Sequence, residues 1–196
     1  MPAQSRRPRE TFAERRERRS AIDDPEVVLE AAARFLEARA RSVGEVRRRL
    51  TSAGYRDDLI EGAIDRMTEL GMLDDATFAR AWIESRDRAR PRGERALSEE
   101  LRVRGVDRSV IVAALDERRS TASDDGDDTA PSADEAAAER LLARHARALE
   151  RVADPRARRQ RAYALLARNG FDPSVCGSAS AALMRGADTD ETVTPE

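Results

Sequence analysis

Arginine is the residue type in this chain best equipped for chemistry, and it gathers in three places. All 36 basic residues are Arg. One cluster holds Arg39, Arg41, Arg47, Arg48 and Arg49. A second holds Arg86, Arg88, Arg90, Arg92 and Arg95, and a third holds Arg156, Arg158, Arg159 and Arg161. A guanidinium keeps its charge at any ordinary pH and grips phosphate or carboxylate through two parallel N–H donors. The chemistry on offer is therefore recognition of anions. An Arg- and Ala-rich codon usage explains any single cluster as a solvated face. Three clusters at matching places in a repeating pattern point instead to a basic track. The Arg86–Arg95 cluster is the densest, with only Asp87 and Glu94 as neighbouring counter-charge.

Residue types that make and break bonds are scarce. The single His145 falls inside an Arg-rich helical stretch, with no orienting partner in sight. The single Cys176 excludes an intrachain disulfide, and it falls on an apolar stripe, which marks it as core. The acid pairs Asp57–Asp58 and Asp74–Asp75 each precede an apolar-periodic run, so helix starts explain them better than metal ligands. There is no Gly-rich phosphate loop, no HExxH and no nucleophile elbow. The expectation is a non-enzyme without metal or cofactor. No apolar run approaches the ~20 residues of a membrane span, and no signal-peptide core is visible near the first residues. A reducing cytoplasm is the expected location.

The elements that present these arginines repeat. Ser42–Tyr55, Gly93–Val106 and Arg158–Phe171 each read as an Arg-rich helix, then a glycine (Gly54, Gly105, Gly170), then a bulky apolar residue. A further helix follows each: Asp57–Leu70, Asp107–Arg118 and Asp172–Met184. Asp-Pro pairs at 24–25, 154–155 and 172–173 are strong helix starts. Ser42-x-x-Glu45 reads as a capping box. Apolar residues recur at helical spacing, as in Val28, Ala32, Phe35 and Leu36, and no alternating run supports a strand. Only seven residues are aromatic, and most fall on apolar stripes or after the stop glycines, which assigns Tyr55, Trp82 and Tyr163 to the core. The expected fold is all-α, nine helices arranged as three tandem three-helix repeats.

Charge and spacing divide the chain further. Residues 1–22 read as a basic flexible arm, 24–72 as repeat 1, 73–119 as repeat 2, 120–133 as an acidic disordered linker, 134–185 as repeat 3 and 186–196 as an acidic disordered tail. Residues 120–135 carry six acids and no base, whereas residues 136–185 carry ten Arg against four acids. The net charge of −2 thus conceals basic segments. Fifty-one residues separate Gly54 from Gly105 and 65 separate Gly105 from Gly170; the acidic insertion accounts for the excess.

One block is more specific than the pattern around it. The run Glu69-Leu-Gly-Met-Leu-Asp-Asp-Ala-Thr-Phe-Ala79 is followed by Arg86 and then by Gly93-x-x-x-Leu97-x-x-Glu-Leu101, ending at Arg104-Gly105-Val106. Together with Ser42-x-x-Glu45, Leu50 and Gly54-Tyr55, it resembles the RecX family of bacterial regulators of the RecA recombinase. The match covers roughly 27–117, and the third repeat matches in pattern only. The resemblance implies three tandem three-helix repeats in an elongated, curved array. It implies binding in the groove of the RecA filament on single-stranded DNA, and inhibition of RecA's ATPase and strand exchange. It also implies some affinity for DNA itself, weak and sequence-tolerant, and a place in recombination, DNA repair and the SOS response; a monomer is the expected state. Glu94 and Ala96 stand where the family often has Pro and a basic residue. The clustered arginines supply the expected filament- or DNA-binding residues on this reading: Arg86, Arg88, Arg90, Arg92 and Arg95, with Arg47, Arg48, Arg49, Arg156, Arg158, Arg159 and Arg161. Two other readings stand beside it: a helix-turn-helix-like transcriptional regulator with a specific operator, and a helical-repeat adaptor for protein partners.

Overall fold

The computed structural model describes residues 10–123 and 131–190. The start of the expected arm (1–9), most of the expected acidic linker (124–130) and the end of the expected tail (191–196) lie outside the described residues. Ten helices and no strand occur among the described residues. They are α1 (Phe12–Ser20), α2 (Pro25–Leu36), α3 (Val43–Ala53), α4 (Asp57–Glu69), α5 (Asp75–Ala89), α6 (Glu94–Arg104), α7 (Arg108–Ser123), α8 (Ala133–Glu150), α9 (Pro155–Arg168) and α10 (Pro173–Asp190). The helices after α1 form three consecutive triplets. The chain divides into two compact units, one ending at Phe78 and one beginning at Ala79.

In the first unit α2 and α3 pack on α4. Their shared core is Val28, Ala32, Val46, Leu50, Ile60, Ile64, Met67 and Leu73, all buried. Each fully buried Leu or Ile contributes roughly 1.5–3 kcal/mol, so a stripe of this size suffices to close a three-helix unit. Asp24 caps α2 by accepting from the Glu26 amide at 3.0 Å, with Pro25 at the first helical position. Only half of the expected capping box forms on α3. Ser42 accepts from the Glu45 amide at 3.1 Å, but the Glu45 carboxylate turns to Arg39 at 3.1 Å. Gly54 ends α3 with φ +99, a conformation a Cβ would strain.

In the second unit α8, α9 and α10 pack mutually around Leu141, Leu142, Leu149, Leu166, Phe171 and Cys176. The second triplet buries Ile83, Leu97, Leu101, Ile111 and Leu115. Asp154 caps α9 through the Arg156 and Ala157 amides, again with Pro at the first position. The α9–α10 turn runs through Gly170 at φ +83.

Three features depart from the sequence reading. Helix α1 stands inside the stretch expected to lack structure, so the helices number ten where nine were expected. Its start is a full capping box: Thr11 accepts from the Glu14 amide while Glu14 accepts from the Thr11 amide. Helix α7 continues to Ser123, into the expected linker, and α10 continues to Asp190, into the expected tail. Neither extension contains a proline, and polar composition alone does not stop a helix.

Candidate nucleic-acid interface

The second arginine cluster is split by its own counter-charges. Trp82 lies between two guanidiniums, Arg86 at 4.3 Å and Arg104 at 3.5 Å from the ring centroid. Glu100 of α6 accepts from the Trp82 indole N–H at 2.9 Å and from Arg86 Nε at 2.6 Å. Its other oxygen lies 3.5 Å from Arg92 Nε. Arg92 also donates to the Asn169 side-chain oxygen at 2.6 Å, reaching the third triplet. Arg86 and Arg92 thus share one carboxylate, are half-buried, and hold helices together. Arg88, Arg90 and Arg95 of the same cluster are exposed, and none of them forms an ion pair among the described residues.

Helix α8 brings further cations to the same place. Arg140, Arg144, Arg147 and Arg151 follow one another at intervals of four, three and four residues, which keeps them on one helix face. All four are exposed and span about 16 Å at 1.5 Å per residue. Arg144 donates to the Arg88 carbonyl at 2.6 Å and to the Ala89 carbonyl. These are the last carbonyls of α5, which have no partner within their own helix. The bond ties the α8 stripe to the exposed Arg88 and Arg90. Sequence reasoning missed this stripe because it looked at the junctions between first and second helices. The spacing itself carried the signal.

The other two clusters also hold partnered arginines. Arg47 meets Glu61 through two bonds, at 2.6 and 2.7 Å, and this hydrogen bonding holds the Glu61 carboxyl below the usual range. Arg39 pairs with Glu45, and Arg41 stacks on Phe35 at 4.2 Å. Arg48 and Arg49 are exposed, with Arg49 5.8 Å from the Phe35 ring. Arg158 of α9 turns back to the Val152 carbonyl at 3.1 Å, while Arg156, Arg159 and Arg161 are exposed. Tyr163, assigned to the core by its sequence position, is 38% exposed. It follows Arg159 by four residues and Arg156 by seven, so it shares their face rather than the apolar one. Phe12 is likewise exposed, and Trp82 is half-buried between arginines.

This arrangement can hold an extended anion. Its cations are exposed on helix faces, and on α9 the Tyr163 ring lies on the face of Arg156 and Arg159. His145 is exposed on α8, with Nδ1 3.0 Å from the Leu141 carbonyl oxygen of its own helix. Cys176 is buried, and burial pushes its thiol pKa up. No group of three His, Cys, Asp or Glu side chains among the described residues is placed to hold a metal ion. No helix among them is long and apolar enough to cross a membrane.

Comparison with known proteins bears on the three-helix organisation. The family model for the first three-helix domain of RecX matches residues 29–67, and that for the second matches residues 74–115. The regulatory protein RecX of Mycolicibacterium smegmatis is 46% identical over 82 residues, which cover 42% of this chain and 44% of that protein. The chain thus spans less than half the length of that relative. The regulatory protein RecX of Mycobacterium ulcerans is 34% identical over 142 residues, which cover 72% of this chain and 76% of that protein. The crystal structure of RecX from Lactobacillus salivarius superposes with a TM-score of 0.67 at 17% identity, covering 85% of this chain and 98% of that one. At that identity the likeness speaks for the fold: an all-helical array of tandem three-helix domains. With a relative matched over most of both sequences and two family domains in their proper order, the chain belongs to the RecX family.

Proposed function

We propose that this protein is a non-enzymatic regulator that binds the RecA recombinase filament on single-stranded DNA in the cytoplasm and lowers its ATPase and strand-exchange activity. Family membership supplies the partner. The observation that supports a filament-binding role is the joining of α5 to α8 by Arg144, which places the exposed Arg88 and Arg90 beside a helix whose Arg140, Arg147 and Arg151 are also exposed, with Arg140 3.9 Å from Asp87. Such a surface follows a phosphate backbone without reading bases, so binding to DNA alone is weak, sequence-tolerant and salt-sensitive. The exposed arginines of α9, and separately those of α3 in the first unit, offer the same chemistry. The protein acts as a monomer in this reading. The test is the ATPase of RecA on single-stranded DNA with the protein added. Inhibition is expected, and a rate unchanged at saturating protein overturns the proposal. Replacing Arg88, Arg90 and Arg147 with Ala should weaken inhibition. Each replaced phosphate contact should lower the salt slope of DNA binding by about 1. Arg86, Arg92 and Arg144 are left intact in this variant because they hold helices together.

A further inference from the structure

Two turn glycines of this chain are touched by main chain from another element, and the two contacts share a geometry. At Gly170 an added Cβ would lie 2.5 Å from the Ala96 amide nitrogen of α6, and the Gly93 amide donates to the Asn169 carbonyl at 3.1 Å. At Gly54 an added Cβ would lie 2.9 Å from the Arg16 carbonyl oxygen of α1, and the Arg19 guanidinium donates to the Ala53 carbonyl at 3.3 Å. In both places the glycine admits a neighbouring helix to backbone contact. In both, the carbonyl one residue before the glycine accepts from the covering element. Helix α1 therefore stands on the first triplet as the start of α6 stands on the third.

The anchorage differs. Helix α1 has no buried residue, and Phe12 is 65% exposed. Its capping box and its Glu10–Arg18 pair at 2.9 Å are local and hold the helix in shape rather than in place. The bonds across to α3 and the turn come from Arg19, through Ala53 and a 5.6 Å approach to the Tyr55 ring. Terminal units of repeat arrays require an atypical cover for a face that inner units bury against a neighbour.

We infer that α1 is a detachable cap, occupying a docking face of the first triplet that is built like the face the second triplet fills on the third. In the docked state the Gly54 turn is covered. In the released state that turn is bare, and the segment bearing Arg15, Arg16, Arg18 and Arg19 is free.

The test is native-state cleavage of the full chain by an arginine-specific protease, read at the bonds after Arg15 and Arg16. These bonds should be cut faster than those after Arg47 and Arg56, and slower than the same bonds in a peptide of residues 1–22. Gly54→Ala places a methyl group against Arg16, whereas Gly71→Ala, at φ +68 with nothing within 4 Å, carries the same kind of backbone strain without the contact. Cleavage in α1 tracks the population of the released state and should rise about tenfold in Gly54→Ala while staying unchanged in Gly71→Ala. Equal rates in the two variants overturn the proposal. If Gly54→Ala also opens the bonds after Arg47 and Arg56, the unit has unfolded and Arg19→Gln decides. That substitution removes the Ala53 contact without strain and should raise cleavage after Arg15 and Arg16 alone. A rate equal to that of the parent chain overturns the proposal, as does a parent chain cut as fast as the free peptide.

Discussion

The joint between α1 and the first triplet and the joint between the second and third triplets use one turn under two regimes. Both rest on a left-handed glycine that lets a helix approach. In the second unit that approach is locked by charge. Arg118 of α7 is 6% exposed and donates to Asp87 of α5 at 2.8 and 3.0 Å, to Asp134 of α8 at 2.7 Å and to the Ala133 carbonyl at 3.3 Å. The other oxygen of Asp134 accepts from the Glu94 amide at the start of α6 at 3.3 Å. One guanidinium thereby holds α5 and α7 to the start of α8, and its second acid reaches α6. Among the described residues the α1 joint has no such hub, and α1 has no buried residue. A shared turn thus gives permission for contact, and the surrounding groups decide its strength.

The largest way to break this comparison is to remove the hub. Arg118→Ala leaves Asp87 and Asp134 without their buried partner, and loss of one member of a buried ion pair costs about 3–5 kcal/mol. Urea denaturation of the full chain should show that loss, and it should lower the slope if the third triplet comes away first. A loss below about 1 kcal/mol, the size of an exposed pair, would mean the joint does not depend on Arg118. Next in size is Gly93→Ala. An added methyl group would lie inside 3.0 Å of the Gly170 carbonyl oxygen and the Phe171 nitrogen, both main-chain atoms. Overpacking of this kind costs about 1–3 kcal/mol. Gly93 has an ordinary φ of −74, so no backbone strain contributes, and the measured loss in the same denaturation reports the contact itself.

What the sequence made legible follows the same division between local and distant causes. The Asp-Pro starts of α2 and α9 and the stops at Gly54 and Gly170 were readable, because a cap is decided within four residues. Helix α1 was not readable by apolar periodicity. Its one large apolar residue, Phe12, faces solvent, and its start lies in Thr11-x-x-Glu14 inside a run of Arg and Glu. At the candidate interface, counting arginines located the clusters but not which of them are available. Glu100 reaches Arg86 and Arg92 only because α6 folds back on α5. The α8 stripe needed a count along one helix, and its junction with Arg88 and Arg90 needed the Arg144 bonds, which cross more than fifty residues.

The smallest expected effect sharpens the comparison most. Deleting residues 1–20 removes a helix with no fully buried side chain, so the hydrophobic contribution to stability is small. What disappears is the Arg19 bond to the Ala53 carbonyl, a half-buried contact whose net worth is about 1 kcal/mol or less. The first triplet keeps its own core of Val28, Leu50, Ile60 and Met67. The urea midpoint should therefore move little, while helical ellipticity falls only by the share of α1. A stability loss approaching that of Arg118→Ala would place α1 in the same class of joint as the second and third triplets, and the difference between the two glycine turns would then lie elsewhere than in their anchoring charges.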